Sequence, residues 1–234
     1  MKAVIIAAGF GSRLWNISDK TPKTLLAYGK GTILSTIVKQ LVAAGVTELG
    51  IVVGFNQQEI RDYLASHSFA IPISIIENLE WERGNAISVA KARVFVQGEP
   101  FILSMSDHLV RVQALQQIVR SNEQCSLLLT DPFIHDNFDI DDATKVLSER
   151  GHIIAIGKEL ENYNALDCGI FRLETDFFVA VDRALAKGIE SISGAIAELM
   201  KGKRIKTVML SAPKQWMDID TPEAYDFANE SFKL

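Results

Sequence analysis

The sequence has few cysteines and no excess of positive charge, and each of these scarcities excludes a class of protein. Cys125 and Cys168 are the two cysteines of the 234-residue chain, too few for a disulfide framework or a cysteine-rich zinc site. The formal net charge is −5, whereas a general nucleic-acid binder usually presents a basic face. We therefore expect no nucleic-acid partner, and we expect both thiols to lie in the core of a protein from a reducing compartment.

Long hydrophobic runs are also missing. No stretch approaches the roughly 18 consecutive apolar residues of a membrane-spanning helix, and the N-terminus lacks the charged, apolar and cleavable sections of a signal peptide. These absences predict a soluble, cytoplasmic protein with no membrane partner. Apolar residues still make up 48% of the chain, and no repeat or linker interrupts it. We expect one domain over residues 1–234, built on a large core.

Strand-like and helix-like segments alternate through the first half of the chain. In order they are strand 4–8, extended 24–28, helix 33–44, strand 49–53, helix 57–67, strand 71–77, helix 86–96 and strand 101–105. This alternation predicts an α/β fold with a mostly parallel central sheet and right-handed crossovers.

The pattern changes after residue 130. The later segments are helix 112–122, strand 124–130, an acidic irregular stretch 131–143, a hairpin of 144–148 and 152–156, strand 165–173, helices 175–187 and 191–201, strands 204–210 and 215–219, and a last helix that begins at Thr221-Pro222. The turn Glu149-Arg150-Gly151 joins the two hairpin strands, because glycine and polar residues favour tight connections between strands.

A glycine-rich loop follows the first strand. Gly9-Phe10-Gly11-Ser12-Arg13-Leu14 leaves the strand, and Thr21-Pro22-Lys23 ends the stretch. Glycine has no Cβ, so backbone N–H groups can approach a ligand closely, and successive N–H groups in such a turn form an anion-binding concavity. Arg13 adds a planar fork and Lys23 a point charge. The stretch predicts a phosphate-binding loop, with an ordinary glycine-rich connection as the alternative.

Two familiar phosphate-binding motifs do not fit this loop. The P-loop pattern is absent, and the dinucleotide fingerprint G-x-G-x-x-G fails at Leu14. The run A-A-G-x-G-S-R-L with a downstream T-P-K instead resembles the nucleotidyltransferases that make nucleotide-activated sugars and alcohols. The resemblance implies a three-layer α/β/α Rossmann-like nucleotidyltransferase fold with a small, hairpin-containing acceptor part. It also implies a Mg²⁺-dependent transfer from a nucleoside triphosphate.

The same resemblance gives the first loop its expected roles. Arg13 and Lys23 would be the catalytic cations: Arg13 holds the triphosphate, and Lys23 spans the α-phosphate and the incoming phosphate. The expected nucleotide-binding residues of the loop are Ala7, Ala8, Gly9, Gly11 and Ser12.

Three acidic residues are the expected metal ligands. Asp107 follows the strand 101–105, at the carboxyl edge where ligands of open α/β sheets collect; its alternative role is to cap a turn. Trp216-Met217-Asp218-Ile219-Asp220-Thr221 resembles the family's W-x-D-x-G-T segment, with Asp220 where glycine is common. On a strand Asp218 and Asp220 would project to one side. Mg²⁺ prefers such carboxylates together with phosphate and water, and Asp220 has helix capping as its alternative.

The segment Trp81–Ser88 is the expected nucleobase site. It resembles the cytidylyltransferases, particularly those that act on inositol 1-phosphate. Asn85 offers a donor and an acceptor that suit a pyrimidine edge, with helix capping as its alternative, and Ser88 is a second nucleotide-binding candidate. The subgroup resemblance covers most of the chain. It implies that CTP and inositol 1-phosphate give CDP-inositol; a CDP-alcohol such as CDP-choline, or a nucleotide sugar from UTP or dTTP, is the alternative.

The acceptor is expected against the second part of the chain. Residues 1–130 would mainly bind the nucleotide, and residues 131–234 would bind the acceptor and complete the metal site. Lys145, Lys158 and Asp167 are the acceptor-binding candidates. A solvated surface charge is the alternative for either lysine, and a strand end for Asp167. His108 is not expected to act as a base, because an acceptor phosphate is already ionised at neutral pH.

Two other functional classes and one assembly state complete the expectations. A nucleotide-binding module without turnover would lack one of the expected acids or the lysine, whereas Arg13, Lys23, Asp107 and Asp218 are all present. A nucleotide-sugar-dependent glycosyltransferase usually shows an Asp-x-Asp after a central strand, whereas Ser106-Asp107-His108 has one acid. A homodimer is one expectation for the assembly.

Overall fold

The computed structural model describes residues 1–14, 21–136 and 140–234, and structural statements below refer to these residues. The strands are β1 Lys2–Ala7, β2 Ala27–Tyr28, β3 Gly31–Thr32, β4 Glu48–Val53, β5 Ile73–Glu77, β6 Phe101–Met105, β7 His108–Val110, β8 Ser126–Asp131, β9 Lys145–Glu149, β10 His152–Gly157, β11 Ala165–Leu173, β12 Ile205–Met209 and β13 Trp216–Asp218. The α-helices are α1 Ile33–Ala44, α2 Gln57–Ser66, α3 Asn85–Lys91, α4 Arg93–Val96, α5 Val112–Val119, α6 Phe177–Leu185, α7 Ile192–Met200 and α8 Pro222–Ser231. Short 3-10 helices lie at Ser12–Leu14, Lys23–Leu25 and Ile134–Asp136.

A nine-stranded mixed sheet with the order β5-β4-β1-β6-β11-β8-β12-β10-β9 forms the centre of the described chain. The four strands from β5 to β6 are parallel to one another. Strand β11 then runs antiparallel to both β6 and β8, and β12 is parallel to β8. The predicted hairpin is the antiparallel pair β9–β10 at the far edge. Strand β10 is antiparallel to both β12 and β9, so β11 and β10 are the two strands of this sheet that run opposite to the others. The α/β prediction is confirmed, and the sheet is mostly parallel in the sense that its other strands run in one direction.

Helices cover both faces of this sheet. Ala3, Ile5 and Ala7 of β1 belong to a core that also contains α1, α5 and α8, whereas Val4 and Ile6 belong to a second core with α3, α6 and α7. Successive side chains of a strand point to opposite faces, so an uninterrupted apolar strand indicates a sheet buried on both sides. The resulting order of helices, sheet and helices is the predicted three-layer architecture.

Local capping explains where α1 begins and ends. The Thr32 side chain accepts a hydrogen bond from the Ser35 N–H, and the Ser35 side chain returns one to the Thr32 backbone, which forms a capping box. Gly45 ends the helix with a φ of 112°, in the left-handed region. Both ends agree with the sequence prediction.

Three local predictions differ from the structure. The single helix expected over 86–96 is divided into α3 and α4 at Ala92. Residues 24–28 begin as the 3-10 turn Lys23–Leu25 before the short strand β2. The three-residue strand β7 was not expected, and it pairs antiparallel with β13. The pair β7–β13 matters most, because it aligns Asp218 with His108.

None of the helices in the described ranges combines the length and the apolar character that crossing a bilayer requires.

Candidate active site

A cavity of about 430 Å³ opens beyond the carboxyl ends of β1 and β6, which are neighbours in the sheet. Gly9, Gly11 and Arg13 line it from the loop after β1, and Ser106 and Asp107 line it from the segment after β6. Parallel strands deliver their carboxyl ends to one edge, so the two segments face the same space. The crevice expected from the sequence is therefore present in the structure.

Gly11 brings the first loop against Lys23. Its φ is +63°, and a Cβ at this position would lie 3.0 Å from the Cβ of Lys23, so both the backbone conformation and the close approach favour glycine. Ala7 lines the cavity. Ala8 is buried, and its carbonyl accepts a hydrogen bond from the Phe55 N–H at 3.1 Å. The side chain of Ser12 lies outside the described part of the chain.

Lys23 lies at the centre of a set of carboxylates. Its Nζ donates to Asp107 Oδ2 at 2.8 Å and also to Asp220 Oδ1. Burial works against the charged ammonium, but Asp107, Asp220 and Asp218 outweigh it and raise the pKa of Lys23 above its ordinary value. Lys23 is therefore a permanent, firmly positioned cation.

Arg13 and Lys158 share the carboxylate of Asp142. Arg13 Nη1 donates to Asp142 Oδ2 at 2.6 Å, Lys158 Nζ donates to Asp142 Oδ1 at 2.8 Å, and Arg13 Nη2 donates to Asp220. Burial opposes ionisation of Asp142, but the hydrogen bonds from Lys158 and Arg13 lower its pKa to about 2. Asp142 thus links Arg13, the predicted triphosphate-binding residue, to Lys158, a predicted acceptor-binding residue. Asp142 itself was not among the predicted site residues.

Asp107, His108 and Asp218 form a group that could hold a metal ion. Each offers one ligand atom, and these atoms lie within 4.8 Å of one another. Asp107 Oδ1 and Asp218 Oδ1 are buried and have no hydrogen-bond partner among the described residues. Buried oxygens without a partner are costly, and carboxylates are the donors that a hard divalent cation prefers. The donor set therefore fits such an ion.

The pKa values of the two carboxyl groups of this set are shifted in opposite directions. Burial opposes ionisation of Asp107, but the nearby Lys23 and His108 outweigh it and lower its pKa. Burial raises the pKa of Asp218, and the negative charges of Asp107 and Asp220 raise it further. A pair of like charges at one site disfavours ionisation of one member, which a divalent cation would reverse.

Asp220 has a different environment from Asp218. Its oxygens accept hydrogen bonds from Lys23 and Arg13, and it is not part of the three-residue metal group. The alternative that Asp220 caps the last helix is wrong, because the Thr221 side chain caps α8 by accepting from the Ala224 N–H at 3.1 Å. The structure separates the two acids, which the sequence treated as near equals.

Asn85 and Ser88 line the cavity from α3. Gly84 is the N-cap of this helix, and Asn85 Oδ1 accepts from the Ile192 N–H at 2.8 Å, so the capping alternative for Asn85 is wrong. Ser88 Oγ accepts a hydrogen bond from Asn78 Nδ2 at 3.0 Å. These contacts tie α3 to the start of α7 and to the end of β5.

The predicted acceptor residues lie in different surroundings. Asp167 lines the cavity and accepts from the Gly169 N–H at 2.7 Å; burial outweighs that hydrogen bond and raises the pKa of Asp167 to about 6. Lys158 also lines the cavity. Lys145 is buried, donates to the Asp141 carbonyl at 2.8 Å and does not line the cavity. A solvated surface charge is therefore the wrong description of Lys145.

Comparison with known proteins adds a family and two named relatives. The nucleotidyl transferase family profile matches residues 2–130. A protein of Aquifex aeolicus named bifunctional IPC transferase and DIPP synthase is 34% identical over 97% of this chain, which covers 51% of that relative. A protein of the same name from Rubrobacter xylanophilus is 30% identical over 97% of this chain, again with 51% of the relative covered. The chain thus spans about half the length of these relatives.

Solved structures share the fold. The inositol-1-phosphate CTP transferase of T. maritima superposes with a TM-score of 0.84, covering 100% of this chain and 98% of that one, at 22% identity. At this identity the likeness concerns the architecture.

Proposed function

Because the chain belongs to the nucleotidyl transferase family, we propose that it is a cytidylyltransferase that joins CTP to inositol 1-phosphate and releases pyrophosphate. The names of the two bacterial relatives support the transferase activity, and the cytidylyltransferase-like segments Trp81–Ser88 and Trp216–Thr221 support CTP. One observation carries the proposal. Two cations, Arg13 and Lys23, and two carboxylates, Asp107 and Asp218, line a single cavity.

The proposed reaction is an in-line displacement at the α-phosphorus. An oxygen of the acceptor phosphate forms the new bond, the bond from the α-phosphorus to the α–β bridging oxygen breaks, and pyrophosphate leaves with that electron pair. The acceptor phosphate is already ionised, so no protein base is required. Catalysis then consists of positioning the reactants and neutralising charge.

In the structure, carboxylates accept the hydrogen bonds of Arg13 and Lys23. Phosphate oxygens would have to replace these carboxylates when substrate binds. Arg13 presents its fork to Asp142 and Asp220, and Lys23 is bound to Asp107 and Asp220. A triphosphate offers several anionic oxygens that can accept charge-assisted, bidentate hydrogen bonds from a guanidinium. We assign the triphosphate to Arg13 and the loop N–H groups around Gly9 and Gly11, and the transferring phosphate to Lys23.

Enzymes of this family generally use a divalent metal ion, and we assign Mg²⁺ to Asp107 and Asp218. Their buried oxygens without a hydrogen-bond partner carry that assignment. Bound there, the ion would neutralise part of the phosphate charge. Asp220 would set the positions of Arg13 and Lys23 rather than bind the ion.

The base and the acceptor would contact different residues of the cavity lining. Asn85 Oδ1 is engaged by the Ile192 N–H, so we assign its NH₂ donors to a pyrimidine carbonyl, with Ser88 beside it. Lys158 would bind the acceptor phosphate, and Asp167 would accept hydrogen bonds from acceptor hydroxyls. Lys145 would position the acceptor-binding residues indirectly, because its ammonium donates a hydrogen bond to the carbonyl of Asp141, the residue before Asp142.

Release of pyrophosphate, measured for CTP, UTP, dTTP and ATP against a panel of phosphorylated acceptors, tests the proposal. We expect turnover with CTP and inositol 1-phosphate to exceed every other pair, including CTP with phosphocholine and UTP with glucose 1-phosphate. A clear preference for another pair would reassign the substrates. Transfer from a CDP- or UDP-sugar without any triphosphate would replace the proposal with a glycosyltransferase.

A further inference from the structure

His108 lies between the two carboxylates of the assigned metal site. Its Nε2 atom is 3.6 Å from Asp107 Oδ1 and 3.6 Å from Asp218 Oδ2, and its side chain is 14% exposed. The strand pair β7–β13 sets this arrangement, because His108 and Asp218 are register partners. The imidazole therefore shares the small space that the two carboxylates enclose.

The other ring nitrogen fixes which atom of His108 faces that space. Nδ1 lies 3.0 Å from the Cys168 carbonyl oxygen. A carbonyl only accepts, so Nδ1 carries the proton and donates it, and the lone pair of a neutral ring is then on Nε2. Metal-binding histidines commonly use their second nitrogen in this way, since the hydrogen bond sets the tautomer and the ring orientation.

Two further contacts hold the ring in place. The indole of Trp216 stacks on the imidazole, with ring centroids 5.5 Å apart and an interplanar angle of 18°. Gly169 on β11 has a φ of +70°, and a Cβ at this position would lie 2.4 Å from Nδ1 of His108. The protein thus clears room for the imidazole and aims Nε2 at Asp107 and Asp218.

We propose that Nε2 of His108 is a third protein ligand of the divalent ion, and that it moves the preference of the site from Mg²⁺ towards Mn²⁺ and Co²⁺. The inference rests on the proposed function only for the position of the ion. Mg²⁺ favours oxygen donors. Mn²⁺ and Co²⁺ are first-row transition-metal ions, and the affinity of a site with nitrogen and oxygen donors rises from Mn²⁺ to Co²⁺. A site made of carboxylates alone would lack this bias.

Pulsed electron paramagnetic resonance of Mn²⁺ bound to the full chain tests the ligand directly, without nucleotide or turnover. We compare the wild type, His108→Asn and His152→Asn. The asparagine at position 108 keeps an amide donor for the Cys168 carbonyl and removes Nε2. His152 lies on β10 and does not line the cavity, so His152→Asn is the matched control.

The expected result is a directly coordinated nitrogen signal in the wild type and in His152→Asn that is absent in His108→Asn. Mn²⁺ affinity should fall at least about 10-fold in His108→Asn, and Mg²⁺ affinity should fall less. If His108→Asn does not fold, wild-type protein with ¹⁵N-labelled histidine must show the change in coupling that a bound imidazole requires.

Three results would overturn the proposal: bound Mn²⁺ without nitrogen coupling in the wild type, coupling that persists in a folded His108→Asn, or no Mn²⁺ binding. Its failure is separable from failure of the proposed function. Pyrophosphate release without nitrogen coupling removes only the role of His108, and nitrogen coupling without turnover removes only the assigned reaction.

Discussion

Lys23 and Asp142 show how single residues set the charge of the cavity. Lys23 is bound by Asp107 and Asp220, and Asp142 binds both Arg13 and Lys158. These ion pairs hold the long cationic side chains in position before any substrate arrives. Phosphate oxygens would exchange with these carboxylates when substrate binds, before the chemical step. Cations that are already positioned at that step need little rearrangement to stabilise the transition state.

Replacing Lys23 by alanine should lower the rate of pyrophosphate release by about 100-fold or more, because one positioned donor to the transferring phosphate is lost. The matched control is Lys30→Ala, since Lys30 is exposed on the turn before β3. Steady-state kinetics and thermal unfolding of both variants provide the measurement. A folded Lys23→Ala with wild-type turnover would remove Lys23 from the mechanism.

The stability that Asp142 contributes should depend on pH. Its pKa is about 2 in the folded protein, below the value of about 3.9 for an unfolded aspartate. The ion pairs therefore stabilise the fold above the unfolded pKa, and their contribution is lost as the pH falls towards the folded pKa.

Unfolding free energies of wild type and Asp142→Asn, measured from about pH 7 to about pH 3, test this linkage. The gap between the two proteins should be largest at neutral pH and should shrink below about pH 5. Asp226→Asn is the control, because Asp226 is exposed on α8. A gap that widens on acidification would contradict the assigned ion pairs.

At the scale of elements, the site depends on three strands, β7, β13 and β11, that bring distant segments together. The pair β7–β13 aligns His108 with Asp218, and β11 supplies Asp167, the Cys168 carbonyl and Gly169 on the facing side. Gly169 lies where the register of β11 against β8 shifts. A local irregularity of this kind aims side chains next to functional sites.

Gly169→Ala should be more damaging than Gly151→Ala. Both glycines have positive φ, so each alanine has the left-handed backbone cost of about 1–2 kcal/mol. A Cβ at Gly151 meets nothing within 4 Å, whereas one at Gly169 meets the His108 ring. Urea unfolding should show the larger loss for Gly169→Ala, and pyrophosphate release should fall in that variant alone. Equal stability losses with equal activity would show that the ring can move aside.

The cap of α8 can be tested independently of catalysis. Thr221→Ala removes the acceptor of the Ala224 N–H and should lower the unfolding free energy by about 1 kcal/mol. Thr221→Ser keeps the hydroxyl and should restore most of it. Activity of the folded enzyme should persist, because Thr221 does not line the cavity. A stability unchanged by alanine would show that the hydrogen bond to the cap is dispensable.

Elements with local signals were predictable, and those that depend on distant partners were not. Thr32 and Gly45 gave α1 its correct ends because capping chemistry is local. Strand β7 has three residues and gains its hydrogen bonds from β13, far along the chain. The division at Ala92 has no glycine or proline to mark it, so tertiary packing decides it.

At the scale of the molecule, the first four parallel strands followed from the alternation of segments, and this alone placed Arg13 and Asp107 at one edge. The insertion of β11 between β6 and β8 did not follow from the sequence pattern, because strand order depends on non-local pairing. The same limit applies to the site. The contact between Arg13 and Asp142 joins residues 129 positions apart, and no spacing rule predicts such a contact.

The proposed nucleotidyl transfer is tested most directly by following the phosphorus atoms of CTP. The protein is incubated with inositol 1-phosphate and CTP labelled with radioactive phosphorus at either the α or the γ position. We predict that the α label appears in a CDP-alcohol and the γ label in pyrophosphate. Transfer of the γ label to the acceptor, or its release as orthophosphate, would contradict nucleotidyl transfer at this site.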